Sequence, residues 1–263
     1  FFSKSKTNEL YIEEINGSLV VYFLRNAHKN NPILELFFPP LPMNENVLKK
    51  AQEKIYNFRK EKKSNILWVD EQDKAIVSKY FRIIKREEEY IFSFDNLNEL
   101  KGAMLKNLRY NLKRFSKVDN VEIRDYCTDD YFECILLLKE WKKKQKDKYN
   151  SINDLEYTKN CLRLFDKFSN NDLFGKVVLI NNKIKAFGFA GEVYEEVANL
   201  FIIKADPFIR GLSYFIKYKI LEELKDYKYV NDSSDLGYEG LKESKKSFNP
   251  KHMHKIYKAR DGF

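Results

Sequence analysis

Residues 204–250 read KADPFIRGLSYFIKYKILEELKDYKYVNDSSDLGYEGLKESKKSFNP. An apolar run at Val197–Ile203 leads into this stretch and has strand composition. A turn follows, then a helical pattern from Gly211 to Leu224 and a short strand at Lys228–Asn231. A polar loop carries Asp235 and Gly237, and a basic helix over Tyr238–Lys246 is stopped by Pro250. Strand, helix, strand, helix in this order is an α/β crossover. Ligands of such folds sit where strand ends meet helix starts, because loops converge there and helix amides point outward. A chemical site is expected here.

Outward from this stretch, the same order of elements occurs twice. Leu10–Ile15 and Ser18–Leu24 flank Asn16-Gly17, a strong type I′ hairpin signal. Ile33–Phe38 reads as a strand, PPLP (Pro39–Pro42) ends it, and Asn44 or Asn46 caps a helix running to about Lys62. Ile66–Val69 is a strand and Asp70–Ser78 a brief helix. Phe81–Ile84 and Tyr90–Phe94 read as strands around a charged turn, Lys85–Glu89. Later, Phe174–Ile180 and Lys183–Val193 flank Asn181-Asn182 as a second hairpin, and a last strand is expected at Met253–Ala259. The echo predicts two tandem α/β (α+β) units with mixed central sheets. The boundaries are drawn at 1–95, a linking amphipathic helix at 96–118, and 119–263 for the unit carrying the site.

Between the echoes, Leu97, Leu100, Met104, Leu108, Leu112 and Phe115 recur at helical steps, predicting one helix over Leu97–Lys117. Lys106, Arg109, Lys113 and Lys117 line another of its faces. They read either as a solvated face or as a stripe that grips phosphates. Val121–Tyr126 is a strand. Tyr131–Gln145 is a helix with Ile135, Leu138 and Trp141 inward, ending in the basic run Trp141–Lys148. Leu155–Phe168 is a further helix.

Composition narrows the classes. The chain has 263 residues, 43% of them hydrophobic, enough for sizeable cores. Lys plus Arg outnumber Asp plus Glu by 48 to 39, a net charge of +9. That suits RNA, a lipid headgroup or a nucleotide, and equally a lysine-rich solvated surface. Cys127, Cys134 and Cys161 are unclustered and form neither a metal pattern nor a disulfide framework, which fits a reducing, cytoplasmic setting. No apolar run approaches the ~20 residues of a membrane span, and FFSKSKTNEL is no leader, so at most a membrane-peripheral location is expected.

The inventory of reactive groups is thin. Only His28, His252 and His254 are present, with no Gly-x-Ser-x-Gly elbow, no P-loop and no Gly-x-Gly-x-x-Gly. No metal site is expected. Ile209-Arg210-Gly211-Leu212 is at most half of a coenzyme A pyrophosphate loop, and Gly211 is as well explained as a helix start. Glu192, Asp206, Asp235 and Glu239 lie at strand ends or in loops, where a carboxylate can take a proton from an attacking amine or hydroxyl. Capping explains Asp235 as readily, and a turn Asp206.

Four stretches carry a family resemblance: LNELKGAMLKNLRYNLKRF (97–115), FGFAGE (187–192), KADPFIRGLSY (204–214) and YVNDSSDLGYEGLKESKKSFNP (229–250). They resemble the DUF2156 group, the transferase domain of phosphatidylglycerol lysyltransferases, which is similar in architecture to the tandem-GNAT FemABX aminoacyltransferases. The resemblance runs from Tyr90 to the end; the first unit matches in layout only. It implies two GNAT-like units and an acyltransferase that needs no resident cofactor and takes an aminoacyl-tRNA as donor. The acceptor would be a small molecule, peptide or lipid headgroup. Transfer from acetyl-CoA, or a non-enzymatic nucleic-acid or membrane-surface module, are the alternatives. By the same resemblance Asp235 and Glu192 are the expected catalytic carboxylates. Lys204, Asp206, Arg210, Gly211, Tyr238 and Glu239 would line the substrate site, and Arg109, Lys113, Lys242 and Lys245 would contact tRNA phosphates. One departure stands out. Where the family segment reads Asn-Arg-x-x-Asp-Leu-Gly, Asp232 follows Asn231, a cation replaced by an anion that is expected to alter specificity.

Overall fold

The computed structural model describes residues 7–59, 64–97, 100–145 and 155–261. The chain forms two compact units, 1–88 with 254–263, and 89–253.

In the first unit, β1 (Asn8–Ile15) and β2 (Ser18–Arg25) form the predicted hairpin. Asn16 and Gly17 both take positive φ (50° and 76°), which a type I′ turn requires and which these two residues adopt at least cost. β3 (Ile33–Leu36) is antiparallel to β2 and parallel to β4 (Asn65–Asp70). The intervening helix α1 (Glu45–Arg59) buries Val47, Leu48, Ala51 and Ile55. Asn44 caps it, its Oδ1 accepting the Asn46 and Val47 amides. A short α2 (Lys74–Val77) follows, and then β5 (Arg82–Phe92) as one continuous strand. This corrects the charged turn expected at Lys85–Glu89. That segment holds no Gly, Pro, Asn or Asp to bend it, and the Arg86 guanidinium lies over Trp68, 3.7 Å from its ring centroid.

The second unit has the strand order β5–β10–β9–β8–β7–β6. β6 (Val121–Asp125), β7 (Phe174–Ile180), β8 (Lys183–Tyr194) and β9 (Val197–Ala205) are successively antiparallel. β10 (Tyr229–Ser234) is parallel to β9 and antiparallel to the end of β5. Helices α3 (Lys106–Phe115) and α6 (Leu212–Glu223) share one core with the strands, built on Leu108, Phe115, Leu212, Ile216 and Ile220. Helix α4 (Tyr131–Gln145) buries Cys134, Leu137 and Leu138, and α5 (Leu155–Arg163) buries Cys161 and Leu162. Helix α7 (Glu239–Lys246) follows β10.

Helix α3 is shorter than the apolar repeat suggested. Leu100 and Gly102 take positive φ (47° and 88°), so the chain cannot be helical there, although Leu97 and Leu105 remain buried. The compact units also differ from the sequence boundaries. Helix α3 belongs to the second unit, because it packs on α6. The end of β11 (His252–Arg260) belongs to the first, because it pairs antiparallel with β4.

Candidate functional site

Two parallel strands part in the second unit. β10 pairs with β9 at Tyr229–Asn231 against Val197–Asn199 and no further, while β9 stays paired with β8 up to Ala205. Local chemistry forces the departure. Asn231 Oδ1 accepts the Ser233 amide at 2.7 Å, Ser233 takes a φ of 55°, and Asn231 Nδ2 donates to Glu89 Oε2 at 2.6 Å. The ladder between β10 and β5 shifts register at the same place.

A charged cluster forms where β10 departs. Asp232 is buried, and its Oδ2 takes Lys217 of α6 and, at 3.1 Å, Lys245 of α7. Lys245 also donates to the Asp232 carbonyl. The Lys217 ammonium lies over two ring faces, 4.8 Å from the Phe92 centroid and 4.2 Å from that of Phe248. Burial pulls Lys217 down to about 8, against the opposing pull of Asp232. Two ammonium groups thus share one carboxylate away from water. Such a cluster carries surplus positive charge where the effective dielectric is low.

The predicted residues divide among several places. Asp235 follows β10: its Oδ2 accepts the Tyr90 hydroxyl at 2.6 Å and its Oδ1 the Gly237 amide at 2.8 Å. Asp235 therefore shapes a turn instead of capping α7, whose N-cap is Tyr238. Glu239 and Lys242 pair on the exposed side of α7 at 3.3 Å. Lys245, expected at a solvent-facing phosphate contact, is instead turned inward onto Asp232.

Lys204 and Asp206 are buried and engaged by α4. The Lys204 ammonium lies 4.2 Å from the Trp141 ring centroid. Asp206 is paired with Lys144 at 3.2 Å and Lys185 at 3.7 Å, and forms a turn by accepting the Phe208 amide. Arg210 is exposed. Gly211 starts α6 with φ 84°, and a Cβ there would come within 2.3 Å of the Asn111 carbonyl oxygen. The glycine is required by the close approach of α3.

Glu192 stands apart from Asp235. It pairs with Ala198, level with Val230 near the starts of β9 and β10, whereas Asp235 follows the end of β10. Its Oε2 accepts the Tyr227 hydroxyl at 3.0 Å, and burial together with that carboxylate raises the Tyr227 pKa. The two expected catalytic carboxylates are not brought together. Arg109 donates to the carbonyls of Leu100 and Gly102 at 2.7 and 2.8 Å, closing the turn before α3, and Lys113 is exposed.

Sequence reasoning missed Lys217, Tyr90 and Glu89. Lys217 had a signal. It stands four residues before Leu221, within the apolar stripe of α6, where a lysine needs a buried partner. Tyr90 and Glu89 come from far along the chain and had none. No group of three or more His, Cys, Asp or Glu residues suited to a metal occurs among the described residues.

Comparison with known proteins gives this geometry a family. No curated protein matches the chain in sequence. Among solved structures, a conserved protein of unknown function from Bacteroides thetaiotaomicron has a TM-score of 0.79 at 23% identity, covering 97% of this chain and 86% of its own. L-PGS from Bacillus licheniformis has a TM-score of 0.65 at 14% identity, covering 96% of this chain and 83% of its own. A tandem GNAT protein from the clavulanic acid biosynthesis pathway has a TM-score of 0.57 at 10% identity, covering 99% and 85%. The fold is the tandem GNAT-like architecture that the family resemblance implied, and its two units agree with the repeated element order. The family described as phosphatidylglycerol lysyltransferase, C-terminal, matches residues 5–260, so the first unit is included along with the region from Tyr90 onward. Family and fold place the protein among the acyltransferases. The chain belongs to the phosphatidylglycerol lysyltransferase C-terminal family.

Proposed function

We propose that this acyltransferase moves an aminoacyl group from an aminoacyl-tRNA to an amine or hydroxyl acceptor, at the parting of β9 and β10. The observation that carries the reading is the Lys217–Asp232–Lys245 cluster, where two ammonium groups share one carboxylate at that point. Attack of the acceptor on the ester carbonyl forms a C–N or C–O bond and pushes negative charge onto the carbonyl oxygen. That charge is stabilised by surplus positive potential in a poorly solvated place. The ester C–O bond then breaks, and the acceptor's proton ends on the ribose hydroxyl. Asp235, half-buried in its turn and held by Tyr90, is the carboxylate to which we assign the transfer of that proton. No covalent enzyme intermediate is needed, in keeping with the scarcity of nucleophile–base pairs. The net charge of +9 suits a polyanionic donor.

Coenzyme A has less support as donor, because Gly211 is spent on the packing of α3 against α6. The test is incubation with a charged tRNA pool and cell extract, followed by mass spectrometry for aminoacylated products. Absence of transfer from every charged tRNA would sink the reading, and thermal stabilisation by micromolar acetyl-CoA would replace the donor. Asp235→Asn is expected to lower turnover by at least 100-fold, in the range of a lost general base. Full turnover in that variant would remove Asp235 from the chemistry.

A further inference from the structure

Asp232 and Asp235 stand three residues apart, yet both reach the same face of the sheet. On a regular strand that spacing sends two side chains to opposite faces. The contacts place them together. The Tyr90 hydroxyl donates to Asp235 Oδ2 at 2.6 Å. The Lys245 ammonium that pairs with Asp232 lies 5.8 Å from the centroid of the same Tyr90 ring. One buried phenol thus stands between the two carboxylates.

The ladder between β10 and β5 accounts for this. Asn231 stands opposite Ile91 and Ser234 opposite Glu89, a step of three residues on β10 against two on β5. The extra residue is a bulge, and it restarts the alternation of side chains. Asn231 and Ser234 share one face with Ile91 and Glu89, while Asp232 and Asp235 share the other with Tyr90. Two features hold the bulge. Ser233 carries it in the left-handed region, with φ 55°. Asn231 is tied at both ends of its amide, accepting from the Ser233 N–H at 2.7 Å and donating to Glu89 at 2.6 Å.

We infer that Ser233 and Glu89 are positioning residues, holding a bulge that turns Asp235 onto the face of the Lys217–Asp232–Lys245 cluster. They act through Asp235, so the inference rests on the reading of Asp235 as the carrier of the acceptor's proton. The bulge brings that carboxylate to the face where positive potential meets the charge building on the carbonyl oxygen.

The test is the initial rate of transfer from a charged tRNA pool to acceptors in cell extract, followed by mass spectrometry. Ser233→Val puts a β-branched residue where φ must be positive, and should lower the rate about 100-fold, the scale of a displaced reacting group. Ser233→Gly takes that φ freely and, as the conservative variant, should rescue the rate to within about threefold of the parent. Added to Asp235→Asn, Ser233→Val should cost less than about twofold more, because the group it positions is already gone. A merely structural role would multiply the two losses. Glu89→Ala should lower the rate about tenfold, with rescue by Glu89→Gln, whose amide oxygen still accepts from Asn231. Thermal melts identify the folded variants, and the Glu89 pair carries the test if Ser233→Val unfolds. A folded Ser233→Val or Glu89→Ala as active as the parent, or losses that multiply in the double variant, would overturn the role of the bulge alone. A parent that transfers nothing would sink the transfer reading itself, and this inference with it.

Discussion

The second unit holds the same charge motif twice, at two depths. In one, Asp232 lies between Lys217 and Lys245; in the other, Asp206 lies between Lys144 and Lys185. Both carboxylates are buried. The difference is in the lysines. Those around Asp232 keep only 7% and 11% of their side-chain surface, while those around Asp206 keep 27% and 30%. Around Asp206 an unpaired ammonium can swing into water. Around Asp232 it cannot, so each charge depends on the others. A charge cluster near the surface costs little to rearrange, and a desolvated one fixes strand, helix and electrostatic field together.

The contrast can be broken experimentally. Asp232→Asn keeps the shape and strands two buried ammonium groups. It is expected to cost about 3–5 kcal/mol, read as a fall in unfolding free energy by denaturant titration. A loss below 1 kcal/mol would mean that water reaches the cluster. Next comes a pH effect at Lys217. Its folded pKa of about 8 lies below the ordinary 10.5, so between those values the unfolded chain binds more protons. Stability should therefore carry a penalty below pH 8 that is relieved as pH rises toward 10.5, by about 3 kcal/mol at full relief. Unfolding titrations at pH 8 and pH 10 measure that slope. Lys217→Met should flatten it, and an unchanged slope would refute the assignment. The smallest effect is expected from Asp206→Asn, about 1 kcal/mol, because Lys144 and Lys185 can turn to solvent. Salt at 1 M should shrink this last difference and leave the Asp232 loss almost untouched.

Much of the architecture was legible in particular residues. Asn16-Gly17 and Asn181-Asn182 announced both hairpins, because residues that tolerate positive φ are rare and tell where a chain reverses. The limits of α4 matched the expected Tyr131–Gln145. Failures came where local pattern met long-range constraint. The apolar repeat of 97–115 continues smoothly through Leu100, yet the backbone breaks there, and Arg109 satisfies the carbonyls left behind. KREEE looked like a solvated turn because its charges hid a strand.

The site was less legible than the fold. Residues 229–250 contain both Asp232 and Asp235, and Asp235 sits in a half-buried turn there. Asp232 was noticed as a departure from the family segment, but its partner Lys217 looked like one more cation in a lysine-rich chain. The part of the basic run at Lys146–Lys148 lies outside the described residues.

From sequence alone follow the repeated hairpin–strand–helix order, the mixed α/β class and the family. These rest on turn chemistry, periodicity and motif, all local along the chain. Only the tertiary structure decided that β10 leaves β9 after Asn231, that Lys217 and Lys245 close on Asp232, and that Glu192 stands apart from Asp235. Those facts depend on which distant residues share a dry space. Burial changes what a charge costs, and no local pattern records burial.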